Sequence, residues 1–242
     1  MNNIINYFVV LLECEKDRVI WVEKNILTKL PAERTFIFSA IDGRILTKPE
    51  IDYFITNNYL QREYQTNPKL NIPFRKGQIG CALSHIRLWE HIIHSNISHA
   101  VILEDDASLH EHFLTLTQQM LIELRTVKWD HLNLYHHPNF SDKLQDQSYR
   151  ILGKRMILKG LPMWGTVSYA VSLSGAKNLV RLTKPIFNTI DEMIRALIIT
   201  NKITSYTSRY PLIKTEGSTT SNLGETTQLR STIWASGHFG TF

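Results

Sequence analysis

Short apolar runs alternate with segments of helical periodicity along the first half of the chain. Asn6–Leu12 is rich in β-forming residues and predicts a buried strand, and the periodic segment Arg18–Leu30 predicts a helix that Pro31 ends. Arg34–Phe38 and His99–Leu103 predict two more buried strands. Alternation of this kind favours an α/β fold with a mostly parallel central sheet flanked by helices.

Capping signals and further periodic segments continue the alternation to about residue 200. Thr47–Glu50 and Thr189–Glu192 each predict a capping box that opens a helix. The other predicted elements are helices from Gly77 to about Ser95, at about 110–125 and from a Ser174 cap to about Leu182, and strands at His131–Tyr135 and Thr166–Leu173. Residues 61–76 and 136–154 are polar and predict loops, and the tail from Gly217 is predicted to be mobile. The absence of repeats and linkers favours a single domain over residues 1–242.

The cysteine count and the hydropathy pattern limit the class of protein. Cys14 and Cys81 cannot build a disulfide framework or a four-thiolate zinc site, and their apolar neighbours predict two buried free thiols in a reducing compartment. No apolar run approaches the roughly 20 residues that a bilayer requires, and the first residues lack the features of a signal peptide. We therefore expect a cytoplasmic protein.

The net charge of +5 is unevenly distributed. Residues 1–140 carry 14 Lys and Arg against 16 Asp and Glu, whereas residues 141–242 carry 13 against 6. A basic C-terminal part suits an anionic surface, substrate or membrane face, although it is also explained by solubility alone. Nucleic acid is disfavoured, since the chain has no block of basic residues and no zinc-finger or RNP-like motif.

Glu104, Asp105 and Asp106 are the sharpest chemical feature of the sequence, because they directly follow a predicted buried strand. Three adjacent carboxylates repel one another, so their burial without a cation is costly. The carboxyl ends of strands in an α/β sheet face the ligand crevice. A carboxylate cluster there can hold a divalent metal that neutralises a diphosphate. The alternative is a solvated loop between strand and helix.

Two other positions are candidates for ligand binding or catalysis. Gly77 and Gly80, followed by Ser84 and His85, would allow a ligand to approach the backbone near a helix N-terminus, although an ordinary glycine-containing helix start explains them too. The spacing does not match a dinucleotide-binding fingerprint. Asp191 lies in the first turn of a predicted helix, where capping is the alternative to a catalytic role.

Four segments, in this order, resemble glycosyltransferase family 25, the lipopolysaccharide and lipooligosaccharide sugar transferases, which are similar to collagen galactosyltransferases. They are Ala40–Arg44, Gly77–His85, Val101–Asp106 and Gly165–Ala176. Each segment is weak evidence alone, but the ordered set, within about residues 5–200, is specific. The chain departs from the family at Thr189, where a proline is common before the Ile-Asp pair, and it matches poorly after residue 210.

The resemblance implies a GT-A-like, Rossmann-type fold and an inverting transfer of a hexose from UDP-galactose or UDP-glucose with Mn²⁺ or Mg²⁺. The acidic triplet stands where such enzymes carry a DxD-type motif. Glu104 and Asp106 are therefore expected to bind the metal, and Glu104 and Asp105 to contact the donor. The other residues expected at the donor are Arg18, Asp42, Gly43, Arg44, Gly77, Gly80, Ser84 and His85.

The resemblance also suggests how the acceptor is used. Asp191 is the expected general base, and Trp164 would stack on an acceptor sugar beside Gly165 and Thr166, unless it is a core or loop tryptophan. The donor part would span about residues 1–130 and the acceptor part 131–242. The expected acceptor is a bacterial lipooligosaccharide at the cytoplasmic face of the inner membrane. Two other functions stay open: a metal-dependent nucleotidyl- or phosphotransferase, and a non-catalytic sugar-binding protein.

Overall fold

The computed structural model describes residues 5–62, 76–136 and 156–215, and the backbone of two short strands at residues 66–67 and 72–73. The helices in these ranges are α1 (Lys16–Asn25), α2 (Lys48–Thr56), α3 (Lys76–His94), α4 (Phe113–Glu123), α5 (Leu173–Thr183) and α6 (Ile190–Ile199). The strands are β1 (Asn6–Leu11), β2 (Thr35–Ser39), β3 (Thr66–Asn67), β4 (Ile72–Pro73), β5 (His99–Glu104), β6 (Ala107–Leu109), β7 (His131–Asn133), β8 (Ile157–Lys159), β9 (Ser168–Ser172), β10 (Ser205–Ser208) and β11 (Ile213–Thr215).

Seven of these strands form one central sheet in the order β2-β1-β5-β9-β7-β10-β8. The pairs β2–β1, β1–β5 and β7–β10 are parallel, and the pairs made by β9 and β8 are antiparallel. Five of the seven strands therefore point the same way. The α/β fold with a mostly parallel sheet that the sequence predicts is confirmed, and strands from both halves of the chain enter this one sheet.

Helices cover both faces of the sheet, which explains why β1 is apolar from Tyr7 to Leu11 and β5 from Ala100 to Leu103. In β1, Phe8 and Val10 lie in one buried cluster with residues of α3, α5 and α6. Tyr7, Val9 and Leu11 alternate with them and lie in a second cluster, with residues of α1 and α4. A strand that is buried on both faces has no polar side, so it appears in the sequence as an unbroken hydrophobic run.

Several local predictions can be compared with the structure. The capping box at Thr47 is confirmed: the Thr47 hydroxyl accepts from the Glu50 backbone and the Glu50 carboxylate accepts from the Thr47 backbone. The box at Thr189 is wrong, because Asn188 accepts from the Thr189 backbone instead and the Thr189 side chain makes no cap bond. The helix α5 is capped by Ser172 rather than Ser174.

Other expectations differ from the structure or lie outside it. Cys14 is exposed and Cys81 is half-buried, so the prediction of two buried thiols is wrong for Cys14. The short strands β6, β8, β10 and β11 were not predicted, and the polar stretch 61–76 includes the paired strands β3 and β4. Most of the predicted loop 136–154 and the tail from Gly217 lie outside the described residues. Within the described part of the chain, no helix combines the length and the hydropathy needed to cross a bilayer.

Candidate functional site

The candidate site lies at one edge of the sheet, where the parallel strands β2, β1 and β5 end. Because β9 runs antiparallel to β5, with Ser168 opposite Leu103, the residues that precede β9 lie beside those that follow β5. The edge opens into a cleft of about 620 Å³, its open mouth included. Its walls include Arg18, Asp42, Gly77, Cys81, His85 and Glu104. The topology thus brings most of the predicted donor-site residues to one place.

Asp105 is buried, and the guanidinium of Arg18, in the helix that follows β1, neutralises its charge. Its Oδ1 accepts a 2.6 Å bond from Nη1 of Arg18, which lies in the first turn of α1. Its Oδ2 accepts from the backbone N–H of Leu12 at 3.2 Å. Burial raises the pKa of Asp105, and the Arg18 guanidinium opposes that shift. Asp105 therefore joins the ends of β1 and β5 and holds Arg18 at the cleft wall.

Glu104 is oriented by two donors from other elements. Its Oε1 accepts from the Thr166 hydroxyl at 2.5 Å and from Nε2 of His85 at 3.1 Å. Burial works to raise the pKa of Glu104, but the hydrogen bond and electrostatic attraction of His85, the hydrogen bond from Thr166 and the charge of Arg18 together outweigh it, and the pKa is lowered. Glu104 therefore stays ionised, and its Oε2 accepts no hydrogen bond from the described residues.

Asp106 differs from both neighbours, because its Oδ1 is buried without a hydrogen-bond partner among the described residues. Burial, together with the charges of Glu104 and Asp105, raises the pKa of Asp106 to about 8. An orphaned buried carboxylate oxygen next to an ionised glutamate is costly unless something positive binds there. Carboxylate oxygens are the ligands that Mg²⁺ and Mn²⁺ prefer. The residues present therefore fit a divalent cation.

A buried chain of hydrogen bonds behind Glu104 sets the proton position on His85. Nε1 of Trp89 donates to the Tyr169 oxygen at 2.8 Å, and the Tyr169 hydroxyl lies 2.9 Å from Nδ1 of His85. Trp89 can only donate, so the arrangement that satisfies every group has Tyr169 donating to Nδ1 and His85 donating from Nε2 to Glu104. All three are almost fully buried. These bonds fix the ring orientation of His85, with Nε2 towards Glu104.

The loop after β2 packs closely against α3, because Gly43 and Gly80 allow the two backbones to touch and Ser84 makes a hydrogen bond to the loop. A Cβ on Gly43 would lie 1.7 Å from the carbonyl oxygen of Lys76, and a Cβ on Gly80 would lie 2.5 Å from the nitrogen of Gly43. The Ser84 hydroxyl accepts from the backbone of Ile41 at 2.8 Å and donates to the carbonyl of Gly80 at 2.6 Å. These residues have a packing reason to be where they are. Their predicted contact with a donor stays a prediction.

At the cleft mouth, Asp42 and Arg44 form a local charge cluster. Asp42 caps the 3₁₀ turn Gly43–Ile45 by accepting from the backbone of Arg44, and its carboxylate also accepts from the Arg44 guanidinium. Hydrogen bonding to Arg44 lowers the pKa of Asp42. Glu15 binds the same guanidinium at 2.6 Å. Gly77 lines the same cleft from the first turn of α3.

Asp191 lies in the first turn of α6, and its electrostatic influence reaches the cleft wall at Cys81. Its Oδ2 accepts from the backbone N–H of Gly165 at 3.3 Å, and its charge acts on the Cys81 thiol, as do the charges of the acidic triplet. Gly165 has φ +88°, and a Cβ there would lie 2.9 Å from the Tyr135 ring. Glycine is therefore required at this turn by both its conformation and the Tyr135 contact. The turn brings Asp191 and Thr166 to the same side of the site.

Trp164 is held by α6 rather than buried in the main core. Its indole N–H donates to Glu192, and the Arg195 guanidinium lies 4.6 Å from its ring centroid. Glu192 and Arg195 also pair with each other at 3.5 Å. Glu192 is thus used on Trp164 rather than in the predicted capping box. The half-buried ring packs against a small cluster of Leu158, Leu161 and Met163.

Two residues of the site were not predicted from the sequence, Trp89 and Tyr169, which orient His85. Cys81, in the cleft wall one helical turn before His85, lies within the segment Gly77–His85 that resembles the family. The available signal was spacing: positions 81, 85 and 89 are four residues apart, so they share one face of α3. Tyr169 lies inside a segment that resembles the family, but only the strand pairing shows that it meets His85.

The fold and the site define an α/β protein with a carboxylate-lined cleft at the ends of its parallel strands. The family model described as "Glycosyltransferase family 25 (LPS biosynthesis protein)" matches residues 4–194. The chain belongs to this family, so the resemblance found in the sequence is confirmed.

Curated relatives of the family are similar to part of this chain. A "Glycosyltransferase 25 family member" of Aedes aegypti is 29% identical over 144 residues, which is 59% of this chain and 23% of that protein. "Procollagen galactosyltransferase 1-A" of Xenopus laevis is 27% identical over 142 residues, 57% of this chain and 23% of that protein. A "Probable inactive glycosyltransferase 25 family member 3" of Rattus norvegicus is 26% identical over 147 residues, which is 60% of this chain and 24% of that protein. The chain thus spans about a quarter of the length of these relatives.

A solved structure is also similar, more weakly. Mouse xyloside xylosyltransferase 1 aligns over 81% of this chain and 69% of that chain, with 11% sequence identity and a TM-score of 0.37. Similarity at this level supports no argument about function. Because relatives named as galactosyltransferases and as inactive both match, the chemistry of this chain's own site decides what it does.

Proposed function

We propose that this chain is an inverting glycosyltransferase that moves a hexose, galactose or else glucose, from a UDP-sugar to a lipooligosaccharide or lipopolysaccharide acceptor. The observation that carries the proposal is that the three carboxylates of the acidic triplet, which follow one another at the end of β5, have different partners. Asp105 is neutralised by Arg18, Glu104 is oriented by His85 and Thr166, and Asp106 has a buried oxygen, Oδ1, without a hydrogen-bond partner among the described residues. Family membership supplies the reaction class.

Glu104 and Asp106 would hold the cation, Mn²⁺ or Mg²⁺. Glu104 is ionised and has one carboxylate oxygen without a hydrogen bond from the described residues, and the orphaned oxygen belongs to Asp106, which the charge of Glu104 acts on. When bound, such a cation offsets the charge that develops on a diphosphate leaving group. His85 and Thr166 keep Glu104 in one orientation, so the ligand oxygen does not need to be ordered on binding.

The donor binds along the wall formed by the ends of β1 and β2. Arg18 is held at this wall by Asp105 and presents a cationic side chain to an anionic diphosphate. Asp42 and Arg44 lie at the mouth, and Gly77 lines the cleft from α3. The donor part would thus correspond to about residues 1–130, with the acceptor part in residues 131–242.

Asp191 acts as the general base on the acceptor. Its carboxylate removes the proton of the acceptor hydroxyl as that oxygen bonds to the anomeric carbon and the bond from that carbon to UDP breaks on the opposite face. Gly165 fixes the carboxylate through its backbone N–H. Trp164, held by Glu192 and Arg195, offers an aromatic ring for the acceptor sugar.

The acceptor is proposed to be an anionic glycolipid at the cytoplasmic face of the bacterial inner membrane. The excess of basic residues after residue 140 supports this, because a phosphorylated lipid headgroup attracts positive charge. The protein would then act in the cytoplasm as a peripheral membrane protein. Binding to acceptor vesicles should weaken as salt rises, since salt screens exposed charges.

The test is a panel of UDP-sugars with Mn²⁺, scored by UDP release with and without truncated lipooligosaccharide. We expect acceptor-dependent UDP release from UDP-galactose or UDP-glucose, and its loss in Asp106→Asn. Asp52→Asn is the matched control, because Asp52 is an exposed aspartate paired with Lys48 on α2. Pyrophosphate or phosphate release from NTP would instead indicate a nucleotidyl- or phosphotransferase. Metal-free glycan binding that Asp106→Asn leaves unchanged would indicate a sugar-binding protein.

A second variant tests the role of Asp191. Asp191→Asn keeps the size of the side chain and an acceptor for the Gly165 N–H. We expect the transfer rate to fall roughly 10²- to 10⁴-fold, the usual contribution of a general base, while the dissociation constant for UDP is unchanged. Near-normal turnover of Asp191→Asn would assign the base to another group.

A further inference from the structure

Cys81 and His85 lie one turn apart on the cleft side of α3. A spacing of four residues places both side chains on the same helix face. With Glu104 they form a group whose ligand atoms, one thiol sulfur, one ring nitrogen and one carboxylate oxygen, all lie within 4.8 Å of one another. None of the three is on the exposed surface: His85 is fully buried and the other two are half-buried.

We propose that Cys81, His85 and Glu104 form a binding site for a thiophilic divalent cation of the zinc type. The donor set of one sulfur, one nitrogen and one oxygen is that of zinc rather than of Mg²⁺ or Mn²⁺, which prefer oxygen ligands alone. Three protein ligands leave the fourth tetrahedral position to water, as in open zinc sites.

The distances allow this arrangement after small side-chain shifts. Ligand bonds to zinc are about 2.3 Å for sulfur and about 2.0–2.1 Å for nitrogen and oxygen. Ligand atoms around a tetrahedral zinc are therefore roughly 3.5 Å apart, about 1 Å closer than the upper limit of 4.8 Å seen here. Rotation of the Cys81 and Glu104 side chains supplies movement of that size without a change in α3 or β5.

The electrostatics of the cleft favour a cation at this point. Burial raises the pKa of the Cys81 thiol, and the charges of Glu104, Asp191, Asp106 and Asp105 raise it further. The potential that disfavours a bare thiolate is the one that attracts a divalent cation. Coordination releases the thiol proton to solvent and replaces it by a metal–sulfur bond, so the negative surroundings are compensated instead of opposed.

His85 can change from hydrogen-bond donor to metal ligand without losing its outer partner. In the metal-free protein its Nε2 donates to Glu104. With zinc on Nε2, the ring proton is on Nδ1 and is donated to the Tyr169 oxygen, 2.9 Å away, and the Tyr169 hydroxyl proton, which pointed at Nδ1, rotates away from His85. A ligating histidine in proteins almost always makes such an outer hydrogen bond. Tyr169 is therefore already in the position that a zinc-bound His85 needs.

Glu104 belongs to both the proposed zinc site and the oxygen-ligand site with Asp106. Zinc on Glu104 therefore withdraws that carboxylate from the harder cation, and the two ions should compete. That competition rests on the proposed function. The zinc site itself does not, because its ligands are read from the geometry and its test needs neither donor nor acceptor.

The test uses Co²⁺ as a spectroscopic probe on the metal-free 242-residue chain. Thiolate-bound Co²⁺ gives a near-ultraviolet charge-transfer band, and tetrahedral Co²⁺ gives intense visible bands. We expect both in the wild-type protein, and their loss when Zn²⁺ is added. Cys81→Ser should lose the thiolate band and weaken Zn²⁺ binding at least about 100-fold, beyond what loss of a supporting residue costs. Cys14→Ser is the matched control and should retain the band, because Cys14 is the exposed cysteine.

Two outcomes overturn the proposal: a wild-type protein without a thiolate–cobalt band, or a band that Cys14→Ser abolishes and Cys81→Ser preserves. If Cys81→Ser does not fold, the Co²⁺ spectrum of the wild-type protein still tests the proposal. In crystals of the zinc-loaded protein, an anomalous peak should lie about 2.3 Å from the Cys81 sulfur. A peak bound only to Glu104 and Asp106 would assign zinc to the oxygen-ligand site and refute the inference. The sugar-donor panel contains Mn²⁺ and no added zinc, so UDP release there tests the proposed function separately from the zinc site.

Discussion

Asp106 and Asp130 are both buried aspartates, yet the fold treats them in opposite ways. Asp130 accepts from the Thr204 backbone at 2.8 Å, from the Asn178 side chain at 3.1 Å and from the Ser174 hydroxyl at 3.5 Å. Asp106 has a buried oxygen with no partner among the described residues. We therefore predict that the same substitution, aspartate to asparagine, destabilises the metal-free protein at position 130 and stabilises it at position 106.

The magnitudes follow from the partners that each carboxylate has. Hydrogen bonds to a charged group contribute about 1.5–3 kcal/mol each, and Asp130→Asn turns an amide donor towards at least one existing donor, so we expect a loss of about 2–4 kcal/mol. The pKa of Asp106 is raised to about 8, so at neutral pH folding must bury its charge or take up a proton. Asp106→Asn removes that cost and should raise the free energy of unfolding by roughly 1–3 kcal/mol.

Urea unfolding after chelation of metal, followed by circular dichroism, measures both differences. Addition of Mn²⁺ supplies the complementary readout. A ligand that binds the native state at 100 times its dissociation constant stabilises it by about 2.7 kcal/mol. Wild type and a folded Asp130→Asn should gain this stability, whereas Asp106→Asn should not.

The reasoning would be refuted by a metal-free Asp106→Asn variant that is less stable than wild type by as much as Asp130→Asn. Asp106 would then have a partner in the folded chain. Equal stabilisation of Asp106→Asn and wild type by Mn²⁺ would remove Asp106 from the cation site. The two results are independent, so each can fail alone.

Three further substitutions test the surroundings of the site. Tyr169→Phe leaves Trp89 Nε1 and His85 Nδ1 without their partner and should lower the free energy of unfolding in urea by about 2–4 kcal/mol. Tyr206→Phe on β10, whose hydroxyl has no described hydrogen bond, should lower it by less than about 1 kcal/mol. Equal losses would contradict the hydrogen-bond chain behind Glu104. Burial lowers the pKa of His131 to about 4, so the folded protein holds this ring neutral. The free energy of unfolding is therefore unaffected by His131 above pH ~6.5, and about 3 kcal/mol of it is lost as the pH falls to about 4, because only the unfolded chain takes up the proton there. His131→Gln should flatten that slope in unfolding measured across the range, and an unchanged slope would refute this. Arg18→Met leaves Asp105 buried without its cation and should destabilise by about 3–5 kcal/mol; thermal unfolding within error of wild type would contradict the pair.

The elements that the sequence predicts correctly are those with a strong local signal. The apolar runs of β1 and β5 and the capping box at Thr47 are present because each depends on residues within a few positions of one another. The predicted cap at Ser174 is wrong by two residues, because the local pattern does not distinguish Ser174 from Ser172. Either serine could cap a helix locally, and Ser172 does so because its hydroxyl also reaches the Trp129 carbonyl, 43 residues away.

What the sequence could not predict depends on distant partners. The strands β6, β8 and β11 have three residues each, too few for a periodic pattern, and they exist because other strands offer them backbone hydrogen bonds. The reversed direction of β9 has no local signal either. It nevertheless determines the site, since only an antiparallel β9 puts Thr166 next to Glu104.

The acidic triplet shows most clearly where prediction from sequence ends. Three consecutive carboxylates are chemically alike in the sequence, but on the turn after β5 each meets a different element of the fold. Asp105 meets Arg18, which is 87 residues away, and Glu104 meets Thr166, which is 62 residues away. Oδ1 of Asp106 meets no donor among the described residues, and such exceptions to polar pairing are typical of functional sites. Sequence therefore predicts that a cation site exists, whereas the tertiary contacts decide which oxygens stay available for it.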